Sequence, residues 1–219
     1  MDIVTVERKI LEKNEDIARS NRAFFKEKKI IVLDLISSPG SGKTALLEKT
    51  LGLIRDDIRT AVIEGDVQTD RDAQRIAKLN IPVVQIVTNG GCHLDATLIK
   101  NALDNLPVDS LDLIFIENVG NLVCPAEFDL GENQKIVIMS ATEGDDKPLK
   151  YPLAFQVAST CVLNKIDLLP YVDFDVAAFR SNLKKVNPKL QTFDLSAKTG
   201  EGMEGWVEWL KDFQNQIDQ

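Results

Sequence analysis

The chain has 219 residues, 34 acidic against 26 basic, and a formal net charge of −8, which excludes a general binder of nucleic-acid phosphate backbones. With 44% hydrophobic and 27% charged residues, and no apolar run of membrane-spanning or signal-peptide length, it reads as a soluble globular chain with one sizeable core and no membrane partner. An odd number of cysteines excludes a fully paired disulfide framework and makes the reducing cytoplasm the expected location.

Residues 1–28 carry apolar doublets every seven positions: Ile3-Val4, Ile10-Leu11, Ile17-Ala18 and Phe24-Phe25. This period predicts an N-terminal amphipathic helix, set apart from a nucleotide-binding domain over 29–219. Such a stripe needs an apolar surface to cover it, supplied by its own domain or by a partner.

Residues 30–36 (IIVLDLI) predict a buried parallel strand. Ser37-Ser38-Pro39-Gly40-Ser41-Gly42-Lys43-Thr44 follows, and Ala45, Leu46, Leu47, Leu51 and Ile54 mark a helix behind it. A Gly-rich strand-to-helix turn presents backbone N–H groups to phosphate oxygens at a positive helix end. Gly40, Ser41, Gly42, Lys43, Thr44 and Ala45 are thus expected to hold a nucleotide's phosphates. Lys43 would reach the β- and γ-phosphates, and the Thr44 hydroxyl would ligate Mg²⁺. Ser37 stands where this loop usually begins with glycine.

A strand over 60–65 leads into Glu64-Gly65-Asp66, and Asp66 is expected at Mg²⁺, directly or through water. A strand over 82–87 precedes Gly90-Gly91-Cys92-His93. Thiolate and imidazole suit Zn²⁺ and Ni²⁺, and a Gly-Gly turn can aim neighbouring side chains at one ion. The strand over 112–117 ends in Glu117-Asn118-Val119-Gly120, an E-x-x-G where Ras-like switches carry D-x-x-G. Glu117 is a second candidate for Mg²⁺, and the Gly120 N–H could meet the γ-phosphate. With Lys43 and Asp66 they form the expected catalytic set. Asn121 stands in place of a glutamine that would orient an attacking water, so unaided hydrolysis is expected to be slow. Cys124-Pro125 lies four residues beyond Gly120 and would join Cys92 and His93 if both loops share one sheet edge. One chain then offers three ligands, an open or shared site that symmetric pairing would double.

After a strand over 135–140, Lys147 or Lys150 is a candidate to reach a nucleotide across a dimer. The strand over 159–163 ends in Asn164-Lys165-Ile166-Asp167. Asp167 can accept from guanine N1–H and the 2-amino group, donors that adenine lacks, and the Lys165 stem can cover a base face. Ser196-Ala197-Lys198 follows the strand over 190–195 and matches the G-protein loop whose backbone contacts the guanine carbonyl. Cys161, inside a strand, reads as a small buried apolar residue. Pro148, Pro152 and Pro170 interrupt helices locally. The alternation of elements predicts an α/β P-loop NTPase fold, a mainly parallel sheet with helices on both faces.

The motifs at 37–44, 64–66, 91–96, 117–125 and 164–167 together resemble HypB, the nickel-incorporation GTPases of hydrogenase maturation, from about Lys29 to the end. Gly-Cys-His-Leu-Asp-Ala at 91–96 is the specific part, since many GTPases share the rest. The resemblance implies that Cys92, His93 and Cys124 bind Ni²⁺ or Zn²⁺ near a dimer interface. It also implies GTP/GDP as cofactor, nucleotide-dependent homodimerisation, and nickel delivery to the hydrogenase large-subunit precursor with a small zinc protein, HypA. The cysteine-rich N-terminal motif and histidine-rich tract of some relatives are absent, and His93 is the sole histidine. Urease nickel GTPases are similar but bear Cys-Pro-His, whereas Ala126 follows Cys124-Pro125 here. Two rival functions use the same residues: a zinc-stapled GTP-dependent regulatory dimer, and a P-loop phosphotransferase, which Asn-Lys-Ile-Asp disfavours.

Overall fold

The computed structural model describes residues 6–68 and 71–217. In chain order the elements are α1 (Val6–Lys28), β1 (Ile31–Ser37), α2 (Lys43–Ile54), β2 (Thr60–Asp66), α3 (Arg71–Ala77), β3 (Val83–Val87) and α4 (Ala96–Leu103). They continue with β4 (Leu113–Glu117), α5 (Cys124–Glu127), β5 (Gln134–Ser140), α6 (Lys147–Lys150), α7 (Pro152–Val157), β6 (Thr160–Asn164), α8 (Val176–Val186), β7 (Gln191–Asp194) and α9 (Met203–Ile217). The strands form one parallel sheet in the order β3-β2-β4-β1-β5-β6-β7. All seven expected strands are present, with ends moved by a residue or so. A parallel strand is covered on both faces, which is why β1, β2 and β4 read as near-continuous apolar runs.

On one face Leu33, Leu35, Val62, Phe115, Ile136 and Val162 pack beneath α2 and α9. Here Trp206, Trp209 and Phe213 of α9 form a ring stack with Phe193, and the Trp206 indole N–H donates to Thr50 Oγ1 of α2 at 2.9 Å. The opposite face carries two apolar clusters. Val32, Ile63, Ile114 and Ile116 lie under α1 and α4. Ile36, Val137, Met139 and Leu163 lie under α7 and α8. Between them runs a buried polar seam. Lys135 Nζ meets Asp34 at 2.7 Å, Glu132 at 2.8 Å and the Phe128 carbonyl at 2.9 Å. Burial alone would lower the Lys135 pKa; Asp34 and Glu132 overcome it, and the net shift is upward.

Helix α1 docks on its own chain. Phe25 and Ala18 are buried, while Ile10 is exposed. Two buried asparagines one heptad apart, Asn14 and Asn21, add hydrogen bonds to the apolar stripe. Asn14 takes the Ala96 N–H at 2.8 Å and donates to the Asp129 carbonyl at 2.8 Å. Asn21 donates to the carbonyls of Ala96 and Leu130, at 2.9 and 3.0 Å. The helix is thereby clamped to the start of α4 and to the segment after α5. The doublet Ile3-Val4 lies outside the described residues.

Candidate nucleotide and metal site

The loops at the carboxyl ends of the strands gather along one edge of the sheet, where open α/β sheets hold their ligands. Lys43, Thr44, Glu64, Asp66, Asp72, Glu117 and Gly120 line a cavity there of about 400 Å³. The phosphate loop closes over it with Gly40 and Gly42 at φ of 77° and 94°, in the left-handed region that glycine tolerates. Gly42 also needs to be glycine for space, since a Cβ would lie 2.6 Å from Asn164 Nδ2. Lys43 Nζ bonds Ser37 Oγ at 3.0 Å, so the serine in the usual glycine place orients the lysine.

The base-reading loops are tied to the phosphate loop. Asn164 Nδ2 donates to the Ser41 and Gly42 carbonyls at 3.1 and 3.4 Å, and its Oδ1 takes the Ala197 N–H at 3.1 Å. Lys165, at φ 62°, lays its stem along the loop and donates to the Gly40 carbonyl at 2.6 Å. Ser196 Oγ donates to Asp167 Oδ1 at 2.6 Å. Ala197 is thus engaged with Asn164, a role that sequence did not suggest, and Asn164 serves as a strut. Glu143 was also missed: its Oε1 accepts from Ser41 Oγ and from the Ser140 N–H, each at 3.0 Å. Lys147 points to its own phosphate loop, bonding Ser38 Oγ at 2.9 Å, and Lys150 pairs with Asp146 at 2.6 Å.

Thr44 Oγ1 donates to Glu117 Oε1 at 2.7 Å. Parallel register sets Glu64 of β2 directly beside Glu117 of β4, and Asp72 completes a carboxylate group whose oxygens lie within 4.8 Å of one another. Asp66, expected beside Thr44 and Glu117, is two residues further along β2; it lines the same cavity and accepts the Gln68 N–H at 2.8 Å. Burial, then the neighbouring Glu117, pushes the Glu64 carboxyl up to about 11, and burial likewise raises Glu117 against the pull of Lys43 and Thr44. Glu64 Oε2 and Glu117 Oε2 are buried without a protein partner. Hard oxygen donors beside a phosphate loop, unpartnered and reluctant to ionise alone, suit Mg²⁺.

Beside this cavity stands the sulfur-nitrogen group. Cys92 Sγ lies 2.9 Å from Cys124 Sγ and 3.5 Å from His93 Nδ1, all three ligand atoms falling within 4.8 Å of one another. The loops share the sheet edge, as the sequence required. Phe128 was not foreseen: its ring packs on His93 with centroids 3.9 Å apart. Burial lowers the His93 pKa, opposed by Asp95 and Glu127, which favours the neutral imidazole that a metal ligand must be. The Cys92 sulfur, then burial, raises Cys124. Cys161 is buried in β6, and burial pushes its thiol up strongly. Gly120 packs against the phosphate loop, where a Cβ would lie 3.1 Å from Pro39 Cα, and Asn121 bridges back to Ser37.

The CobW/HypB/UreG nucleotide-binding domain model matches residues 31–194. The hydrogenase maturation factor HypB of Escherichia coli K12 is 52% identical over 209 residues, spanning 95% of this chain and 72% of its own length. The chain belongs to the HypB hydrogenase maturation factors. HypB from Archaeoglobus fulgidus superposes with a TM-score of 0.87 at 37% identity, over 93% of this chain and 99% of that one. HypB from Helicobacter pylori in complex with nickel gives 0.89 at 36%, over 93% and 96%. The seven-strand parallel sheet and its flanking helices therefore have the P-loop NTPase fold of the HypB structures, and here the helix α1 precedes that sheet. Among the described residues no helix is long and apolar enough to cross a membrane.

Proposed function

We propose that this chain hydrolyses GTP and carries nickel to the large-subunit precursor of a [NiFe]-hydrogenase. The observation that carries the reading is the convergence of Cys92, His93 and Cys124 within 4.8 Å, on loops adjoining the Thr44–Glu117 contact. Gly40, Ser41, Gly42, Lys43, Thr44 and Ala45 hold the phosphates, and Lys43 neutralises the β- and γ-oxygens. Asp167 reads guanine, Lys165 covers it, and Asn164, Ser196, Ala197 and Lys198 hold that pocket. Thr44, Glu117 and Glu64, with Asp66 at the rim, would hold Mg²⁺. The ion would stabilise charge on the β- and γ-phosphates. Glu117 and Asp66 shape the hydrolytic side of the pocket, and the Gly120 N–H follows the γ-phosphate. Asn121 Nδ2 donates to the Cys92 carbonyl and its Oδ1 takes the Val123 N–H, so it does not orient water and turnover is slow unaided.

The cargo is Ni²⁺, with Zn²⁺ a competitor for the same donors. Three ligands leave a coordination position open for a second copy, for a HypA-like zinc protein or for the acceptor. A homodimer and a cytoplasmic setting follow from this reading. The decisive experiment measures Ni²⁺ affinity and oligomer mass with GDP and with a non-hydrolysable GTP analogue, for the parent chain and Cys92→Ala. A nucleotide-dependent affinity lost in the variant is expected. Equal affinity in both nucleotide states would sink the switched carrier, and slowly exchanging Zn²⁺ held in both would favour a zinc-stapled regulatory dimer.

A further inference from the structure

Asn118 sits between the two halves of the site and neither half explains it. Its neighbour Glu117 receives Thr44 at the nucleotide cavity, and Gly120, two residues on, lies against Pro39. Asn118 itself is 1% exposed; it borders the cavity, and its side-chain amide reaches Asp34 in the polar seam. Its Nδ2 donates to Asp34 Oδ1 at 3.1 Å. Its Oδ1 accepts the Leu94 N–H at 3.1 Å and the Val119 N–H at 3.0 Å. Leu94 directly follows His93. Asp34 is fixed by Lys135, whose ammonium also holds the carbonyl of Phe128, the residue stacked on His93. At the other end of the metal pair, Asn121 Nδ2 donates to the Cys92 carbonyl at 3.4 Å. The segment 118–121 therefore grips Cys92-His93 from both sides.

We propose that Asn118 is a positioning residue that transmits nucleotide state to the Cys92-His93 loop. One end of its amide is anchored on Asp34 between β1 and β5. The other end is bonded to Val119, next to the glycine that packs on the phosphate loop. A buried amide is costly to leave unpaired. When Gly120 shifts with the phosphates, Leu94 N–H follows the Asn118 oxygen or loses its acceptor, and the spacing of His93 and Cys92 from Cys124 changes. Phe128 stays on the Lys135 side of the seam, so the His93 ring moves against a fixed wall. This inference deepens the switched-carrier reading and rests on it, but the transmission can be read without nickel.

The test is the rate of Cys92 and Cys124 alkylation by iodoacetamide, with Mg-GDP and with a non-hydrolysable GTP analogue. Buried Cys161 is the unreactive internal reference. The parent chain is expected to show rates differing about fivefold or more between nucleotide states, a common size for coupling between sites. Asn118→Ser, which shortens the side chain away from Leu94, should bring the ratio close to one. Simple loosening would raise both rates together and leave their ratio intact. Hydrogen exchange at the Leu94 amide of the unmutated chain gives a second measurement that needs no variant to fold; its protection should differ between the two nucleotides. Equal alkylation rates in the parent, a ratio preserved in Asn118→Ser, or unchanged Leu94 exchange would each overturn the proposal. Nucleotide-dependent thiol rates beside a nucleotide-independent Ni²⁺ affinity would uphold the Asn118 link and overturn the carrier reading instead.

Discussion

The nucleotide end and the metal end lie on one sheet edge and are built in opposite ways. Around the nucleotide pocket, loops from β1, β5, β6 and β7 are knit to each other by hydrogen bonds within the chain. Asn164 alone joins the phosphate loop to the Ser196-Ala197 loop. At the proposed metal site, Cys92 is exposed, Cys124 and His93 are half-buried, and their sulfur and nitrogen atoms face one another across short loops. Pre-formed donors lower the ordering cost of binding a large, flexible ligand. A metal that must be handed on needs ligands that can exchange and a way in. The contrast is between a socket and a grip.

Breaking the socket should have the largest effect. Gly42→Ala strains a left-handed backbone and drives a methyl into Asn164. Left-handed strain of about 1–2 kcal/mol, plus a displaced buried bond at about 1–3 kcal/mol, predicts roughly 30- to 5000-fold weaker GDP binding by calorimetry. An affinity within a few-fold of the parent would mean the loops are not pre-joined. Next, Cys92→Ala should weaken Ni²⁺ by roughly 100-fold in a chelator competition, by comparison with the 10–100-fold losses seen for outer-shell partners. GDP affinity should hold, since the grip is not part of the socket.

A pH series sharpens the comparison at the socket. Glu64 is pushed up to about 11, so the ligand-free folded chain keeps a proton that the unfolded chain releases near the ordinary carboxyl range. Its stabilising contribution is present at low pH and is lost as pH rises through that interval, at up to about 1.4 kcal/mol per pH unit. Denaturant titrations of the ligand-free chain should show this fall, and Glu64→Gln should flatten it; an unchanged slope would place the proton elsewhere. The smallest effect is expected from Phe128→Ala. Removing the ring stacked on His93 should cost roughly tenfold in Ni²⁺ affinity and leave GTP turnover unaltered, because it orients a ligand without supplying one.

Much of the socket was legible in the sequence because each part is local. Gly40, Gly42 and Lys43 need only a strand before them and a helix behind, and Asp167 needs only a strand end. Register is not local. Asp66 and Glu64 both follow the same apolar run, and only the pairing of β2 with β4 puts Glu64, rather than Asp66, beside Glu117. Buried polar partners are harder still. Asp34 interrupts IIVLDLI as a single odd letter, and its partner Lys135 is a hundred residues away in sequence terms, across β5. Asn14 and Asn21 hid in a helix whose apolar doublets drew the eye, although one heptad separates them too. Cys124 was legible only as a condition, that two loops meet at one edge, and the parallel sheet fulfils it.

The ring stack under α2 has an optical consequence. Both tryptophans of the chain, Trp206 and Trp209, sit in it with centroids 5.1 Å apart. One indole is hydrogen-bonded to Thr50 of the same helix that begins with Lys43 and Thr44. All intrinsic indole emission therefore comes from the packing of α9 on the phosphate-binding helix, a cluster that contains neither Cys92 nor Cys124. A label-free fluorescence trace follows nucleotide and helix alone, and reads metal only through whatever the protein itself relays.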